Sequence, residues 1–172
     1  MNLHTTYPAL SDLRERAERR IPKFVWEYLD SATGTQATQR LNRAALDRIR
    51  LMPSILHGEF DPDTSVELFD QRLPLPFGVA PVGMSGLIWP DAHLARAAAR
   101  HGIPYCLSTV ASQSPEDLAP HLGKNAWFQM YPPRVPEIRA DMLRRARASG
   151  FSSLILTVDV PVASRRERQT RS

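Results

Sequence analysis

The feature that most constrains this chain is a repeated alternation in its second half. Short apolar runs at about Phe77 to Pro81, Ile103 to Ser108, Ala126 to Tyr131 and Ser153 to Val160 alternate with segments of helical periodicity. Successive runs begin roughly 25 residues apart, the length of one strand-plus-helix unit. Strands apolar on both faces belong in a parallel sheet, where crossover helices cover them. The helix signals are specific. Pro90 precedes an alanine-rich segment that should turn Leu94, Ala97 and Ala98 inward, with Gly102 past its end. Ser114, Pro115 and Asp117 form a capping sequence, and Ile138, Met142, Leu143 and Ala146 form a stripe closed by Gly150. The pattern predicts βαβαβαβ.

Upstream, Ser11 is expected to cap a helix to about Arg20, Pro22 to open a second, and Leu41, Ala45 and Ile49 to share one face of a third. The reading is one domain: a helical lead-in over 1–52, a strand-and-loop segment over 53–76 with a short β segment from Val66 to Phe69, and the repeating part over 77–172. Leu73 to Pro90 is uncharged, but Pro74, Pro76, Pro81 and Pro90 with Gly78, Gly83 and Gly86 would break a membrane helix repeatedly. That run reads as a buried strand and a loop whose backbone approaches something closely.

With 42% apolar and 23% charged residues the chain can bury a core, which excludes a disordered or fibrous protein. The formal charge is +4, yet the basic residues are scattered among acidic ones. Arg165, Arg166, Arg168 and Arg171 are interrupted by Glu167 and lack an aromatic platform, so no nucleic-acid partner is expected. The single cysteine, Cys106, excludes an intrachain disulfide framework and offers no metal-ligand spacing. The first twenty residues lack the apolar core of a secretory signal. A cytoplasmic location is expected, with peripheral association with the inner membrane left open.

A doubly wound open sheet and a (β/α)8 barrel both fit this periodicity. No G-x-G-x-x-G or G-x-x-x-x-G-K-[ST] follows a strand, which weakens the nucleotide-binding open sheet. Polar residues gather where strands should end: Ser108 and Thr109, Gln129 and Tyr131, Thr157 and Asp159. In a parallel barrel those ends carry the site. An amide or hydroxyl there can hydrogen-bond the edge of a flat heteroaromatic ring, but cannot itself do redox chemistry. The plainer reading of each is a local backbone bond or, for Tyr131, a core ring.

The segments IPKFVWEYLDS (21–31), LNRAALDRI (41–49), LPLPFGVAPVGMSGLIWPDAHLARAAARHGIPYCLST (73–109), AWFQMY (126–131), LILTVDVPV (154–162) and RRER (165–168) resemble the FMN-dependent 2-hydroxy-acid dehydrogenases and oxidases. That family includes glycolate oxidase, L-lactate dehydrogenase and mandelate dehydrogenase. The resemblance implies a (β/α)8 barrel, of which this chain would be the lead-in and about the first four βα units. It implies FMN, with the backbone of Pro81, Val82 and Gly83 against the flavin and Ser108, Gln129 and Thr157 bonding its ring. Tyr28 and Arg166 would bind the substrate carboxylate, and Tyr131 would bond the substrate near its reacting hydroxyl. Asp159 would orient a catalytic histidine. The implied reaction moves the C2 hydrogen of a small L-2-hydroxy acid to flavin N5 and yields a 2-oxo acid.

In that family the histidine, a second arginine, a flavin-contacting lysine and the phosphate loops lie in the second half of the barrel. His4, His57, His93, His101 and His121 do not match that base, so the chain as given is expected to be inactive alone. Ser164, Gln169 and Ser172 depart from the family's glycine, aspartate and asparagine, and Gly83 resembles the mandelate dehydrogenase branch. The open edges of a half barrel would favour self-association or a missing C-terminal half. Two alternatives stand beside this reading: another FMN barrel such as a type 2 isopentenyl diphosphate isomerase, and a non-catalytic remnant or binding module.

Overall fold

The alternating half of the chain folds into parallel strands joined by helices. The structure is a computed structural model describing residues 2–158 and 164–171. In chain order its elements are α1 (Leu3–Thr6), α2 (Leu10–Arg20), α3 (Lys23–Asp30), α4 (Ala37–Asp47), β1 (Val66–Leu68), β2 (Gln71–Leu73), α5 (Asp91–His101), β3 (Tyr105–Ser108), α6 (Pro115–Leu118), β4 (Ala126–Met130), α7 (Pro136–Ala148), β5 (Ser153–Leu156) and α8 (Glu167–Thr170). They form two compact units, Met1–Glu59 with Val162–Ser172, and Phe60–Pro161.

In the larger unit the parallel strands run in the order β3-β4-β5. Side chains alternate across the sheet. Tyr105 and Leu107 of β3 and Ala126, Phe128 and Met130 of β4 pack with Ala92, Ala95 and Ala98 of α5, Leu118 of α6 and Ala146 of α7. Cys106, Ser108, Trp127 and Gln129, of opposite parity, belong to the other face. The helices α5, α6 and α7 therefore share one face of the sheet.

The inward stripe of α5 differs from expectation. Ala92, Ala95 and Ala98 are buried, whereas Leu94 is 41% exposed. Small side chains let the helix sit close to the sheet, and Leu94 falls on the outer side of the turn. In α7, Ala146 is buried and Met142 packs against the core, while Ile138 and Leu143 are largely exposed.

The run from Phe77 to Pro81 makes a single parallel bridge, Val79 to Tyr105, and no extended strand. Val79 N–H donates to Pro104 O (2.7 Å) and Cys106 N–H donates to Val79 O (3.0 Å). Pro76 and Pro81 have no N–H to extend the ladder. Gly78 is required where it stands, since a Cβ there would lie 2.8 Å from both Cβ and O of Pro104.

The segment expected as a short β element is a hairpin. β1 and β2 pair antiparallel, with Leu68 opposite Gln71 and both turn residues, Phe69 (φ 50°) and Asp70 (φ 58°), left-handed. That geometry matches the strand twist in a two-residue turn. Phe69 meets Trp127 edge-on at 6.2 Å, and Gln71 Nε2 donates to Ser152 Oγ at 3.1 Å. Both contacts lie toward the N-terminal ends of β4 and β5. The hairpin thus covers the end of the sheet opposite the polar strand ends.

In the smaller unit, Ala9 takes the N-cap position of α2, in place of the expected Ser11, and its N–H donates to Asp12 Oδ2 (2.9 Å). Ser11 falls inside the first turn, and the ionised carboxylate of Asp12 at the third helical position is the acceptor that closes back on the cap. Pro22 immediately precedes α3, which buries Val25 and Trp26. The expected apolar face of α4 is open: Leu41 is exposed, and Ile49 lies beyond the helix and is exposed as well.

Candidate active site at the strand ends

Parallel pairing puts the last residue of β3, Ser108, in register with Gln129 of β4, and Gln129 in register with Ile155 of β5. Thr157, two residues after Ile155, continues on the same side of its strand, and its N–H donates to Met130 O (3.1 Å). Three residues far apart in sequence are thereby brought together by register alone.

Their side chains form one hydrogen-bonded row. Ser108 Oγ donates to Gln129 Oε1 (3.1 Å), and Gln129 Nε2 donates to Thr157 Oγ1 (2.7 Å). Thr109 holds the row from its backbone and its hydroxyl. Its N–H donates to Gln129 Oε1 (3.1 Å), and its Oγ1 donates to Gln129 O (2.6 Å) while accepting from Tyr131 N–H (3.1 Å). Gln129 is 2% exposed. At that depth an amide must be satisfied on both sides, and this fixes which end carries oxygen. Among the described residues two donors of this row have no acceptor: the second N–H of Gln129 and the hydroxyl hydrogen of Thr157. They suit the acceptor-rich edge of a flat heterocycle.

The loop carrying Pro81, Val82 and Gly83 is tied to the loop after β3. Met84 N–H donates to Val110 O (3.0 Å), and Gly86 N–H donates to Ser112 Oγ (2.9 Å). Asp91 reinforces the tie; only 3% exposed, it accepts from Ser85 Oγ and from Ser112 N–H (3.3 Å). Asp91 is not among the residues singled out from the sequence. The available signal was a charge immediately after a long uncharged run. Val82 is 38% exposed and Tyr131 41% exposed, so both present surface beside the buried row.

Cys106 lies two residues before Ser108, on the same side of β3. Burial pushes its thiol up to about 12, so it stays protonated and inert at neutral pH. Burial also raises the neighbouring Tyr105 phenol. Neither can serve as a base.

Tyr28 and Arg166 belong to the smaller unit, where they pack together. The Arg166 guanidinium lies 5.3 Å from the Tyr28 ring centroid, and its NH1 donates to Tyr28 O (2.7 Å). Asp159 lies outside the described residues. Among the described residues no group of three or more His, Cys, Asp or Glu could hold a metal ion, and no helix is long and apolar enough to cross a membrane.

Residues 17–172 match the family model described as FMN-dependent dehydrogenase. The chain is similar to the L-lactate dehydrogenase of Ectopseudomonas mendocina (strain ymp), at 38% identity over 95% of this chain and 44% of the relative. It is also similar to the 4-hydroxymandelate oxidase of Amycolatopsis orientalis, at 37% identity over 97% of this chain and 47% of the relative. A crystal structure of mandelate oxidase with 3,3-difluoro-2-hydroxy-3-phenylpropionic acid superposes with a TM-score of 0.89 at 36% identity, covering 96% of this chain and 50% of that one. An oxidised active mutant of (S)-mandelate dehydrogenase gives 0.87 at 35% identity, over 94% of this chain and 46% of that one. The chain spans about half the length of these relatives.

Proposed function

Because the chain belongs to the FMN-dependent dehydrogenase family, we propose that it is the flavin-ring-binding half of an enzyme that oxidises a small L-2-hydroxy acid, of the lactate, glycolate or mandelate class, to the 2-oxo acid. The observation that carries this reading is the Ser108–Gln129–Thr157 row, whose unspent donors fit the ring of the family's cofactor. The fold agrees with half of a (β/α)8 barrel, since α5, α6 and α7 all cover one face of the sheet and a doubly wound sheet would carry helices on both. Bound FMN supplies the acceptor for the hydrogen and electron pair leaving C2.

The chain's own residues have four tasks. Gln129, held by Ser108 and Thr109, and Thr157 orient the ring edge. The backbone at Pro81, Val82 and Gly83 forms the wall against which the ring lies. Arg166 offers a planar fork suited to a carboxylate, with the Tyr28 hydroxyl as a second donor to it. Tyr131, just past the end of β4, hydrogen-bonds the substrate beside its reacting hydroxyl, and Asp159 orients the base. On this reading the base and the phosphate-binding loops lie in the part of the relatives that the chain does not span, and the chain alone does not turn over.

The test is the visible spectrum of the purified chain titrated with FMN and with riboflavin, alongside dye reduction by L-lactate, glycolate and mandelate. The expected result is a perturbed flavin band of similar strength for both flavins, since these residues meet the ring and not the phosphate. That perturbation should be lost in Gln129→Leu, with no dye reduction in either protein. An unperturbed flavin spectrum would remove the ring assignment, and turnover by the chain alone would remove the claim that the site is incomplete.

A further inference from the structure

Arg166 occupies the position before α8, where its backbone is extended (φ −107°, ψ 98°) and nothing in the four-residue helix itself fixes its long side chain. Its neighbour two residues on is held far more firmly. Arg168 NH2 lies 2.8 Å from Glu27 Oε2 and its NH1 lies 3.2 Å from Asp30 Oδ2. The two carboxylates are nearly buried, with side chains 12% and 15% exposed. Asp30 is braced further by Arg14, whose Nε and NH2 donate to Oδ1 at 3.0 and 2.8 Å. Glu27 and Asp30 flank Tyr28 on α3, as Arg166 and Arg168 flank Glu167. A backbone bond, Gly34 N–H to Arg165 O (2.9 Å), ties the same segment from its other side.

We propose that Arg168 is a positioning residue: by bridging Glu27 and Asp30 it locks the 164–171 segment onto α3 and so holds the Arg166 guanidinium against the Tyr28 ring. A charge-assisted hydrogen bond to Asp30 and a 2.8 Å ion pair to Glu27, both partly buried partners, restrict the segment far more than an exposed pair would. They place the fork of Arg166 and the phenol of Tyr28 in one fixed pose before any ligand arrives. The consequence for a carboxylate ligand rests on the functional reading above; the lock itself does not.

The test is NMR on the full chain, following contacts between the Arg166 side chain and the Tyr28 ring in the wild type, Arg168→Gln, Arg168→Lys and Glu27→Gln. The expected result is loss of the contact in Arg168→Gln, partial return in Arg168→Lys, and weakening in Glu27→Gln, which keeps the shape and removes the charge. A contact that persists in Arg168→Gln or is undiminished in Glu27→Gln would overturn the proposal, as would one that fails to return with lysine. Glu27→Gln decides the matter if Arg168→Gln does not fold. Titration with pyruvate adds the second arm: Arg168→Gln should weaken the response of the Arg166 Nε–H roughly tenfold. No pyruvate response in the wild type, with the Arg166–Tyr28 contact intact, would count against the functional reading and leave the lock standing.

Discussion

Gln129 carries more of the site than any other single residue, because its amide is the junction of three strand ends. Replacing it with leucine strips Ser108 and the Thr109 N–H of their acceptor and Thr157 of its donor in a buried place. The expected cost is about 1–3 kcal/mol in urea unfolding, in addition to the loss of flavin perturbation. Gly78→Ala should cost a similar amount, about 1–3 kcal/mol, since its Cβ would meet Pro104 backbone, which has no flexible end to yield. Cys106 gives a pH prediction with a definite sign. Its folded value, about 12, lies above the ordinary 9.0, so folding favours the protonated thiol. That contribution is whole below pH 9 and is lost as pH rises from 9 toward 12. Cys106→Ala should flatten this alkaline limb of the stability profile, and the native thiol should resist a thiol reagent at pH 8 until the chain is unfolded. An unchanged alkaline limb would contradict the burial argument.

Among the elements, α5 and α6 show how local sequence becomes packing. The buried alanines of α5 pack into the core with Tyr105 and Leu107 of β3, and Ala95 is fully buried. Ala95→Leu should destabilise by about 1–3 kcal/mol through overpacking, read as a lower urea midpoint with an unchanged slope. At α6 the capping box predicted from Ser114, Pro115 and Asp117 is present, with Ser114 Oγ accepting from Asp117 N–H (3.2 Å) and Ser114 N–H donating to Asp117 Oδ2 (3.0 Å). One residue along, Glu116 makes a two-bond pair with Arg145 of α7 at 2.7 and 2.8 Å, which holds its carboxyl near 2, below the ordinary 4.5. A depressed carboxylate stabilises the fold above pH 4.5, and the contribution is lost as pH falls through about 2. The pair is exposed, so salt should shrink the effect. Glu116→Gln should lower the melting temperature slightly at neutral pH and low salt, and the difference from the wild type should shrink at high salt and vanish as pH falls toward 2.

At the scale of the whole molecule, β5 is an edge strand of the parallel sheet among the described residues. Leu154 and Leu156 have the parity that faces helices elsewhere in the sheet, yet they are 49% and 50% exposed. An apolar edge strand with free backbone groups is a template for pairing. Concentration-dependent association is therefore expected in sedimentation, and Leu154→Glu with Leu156→Lys should reduce it with little effect on melting. A monodisperse, cooperatively melting wild-type monomer at every concentration would show that this edge is not sticky. The sequence by itself determined the alternation of strands and helices, the caps at Ser114 and Gly102, and the polar residues at strand ends, because period, capping chemistry and turn preference are local properties. It misplaced Leu94 as an inward residue and the run from Phe77 as a strand, because each depends on what lies opposite, and Ser11 as a cap, because Asp12 offers the Ala9 N–H a charged local acceptor. Only the tertiary structure decided that Ser108, Gln129 and Thr157 form one row, since their adjacency arises from strand register. The same holds for Asp91 binding two loops and Arg168 bridging Glu27 and Asp30, contacts between residues that no spacing along the chain brings together.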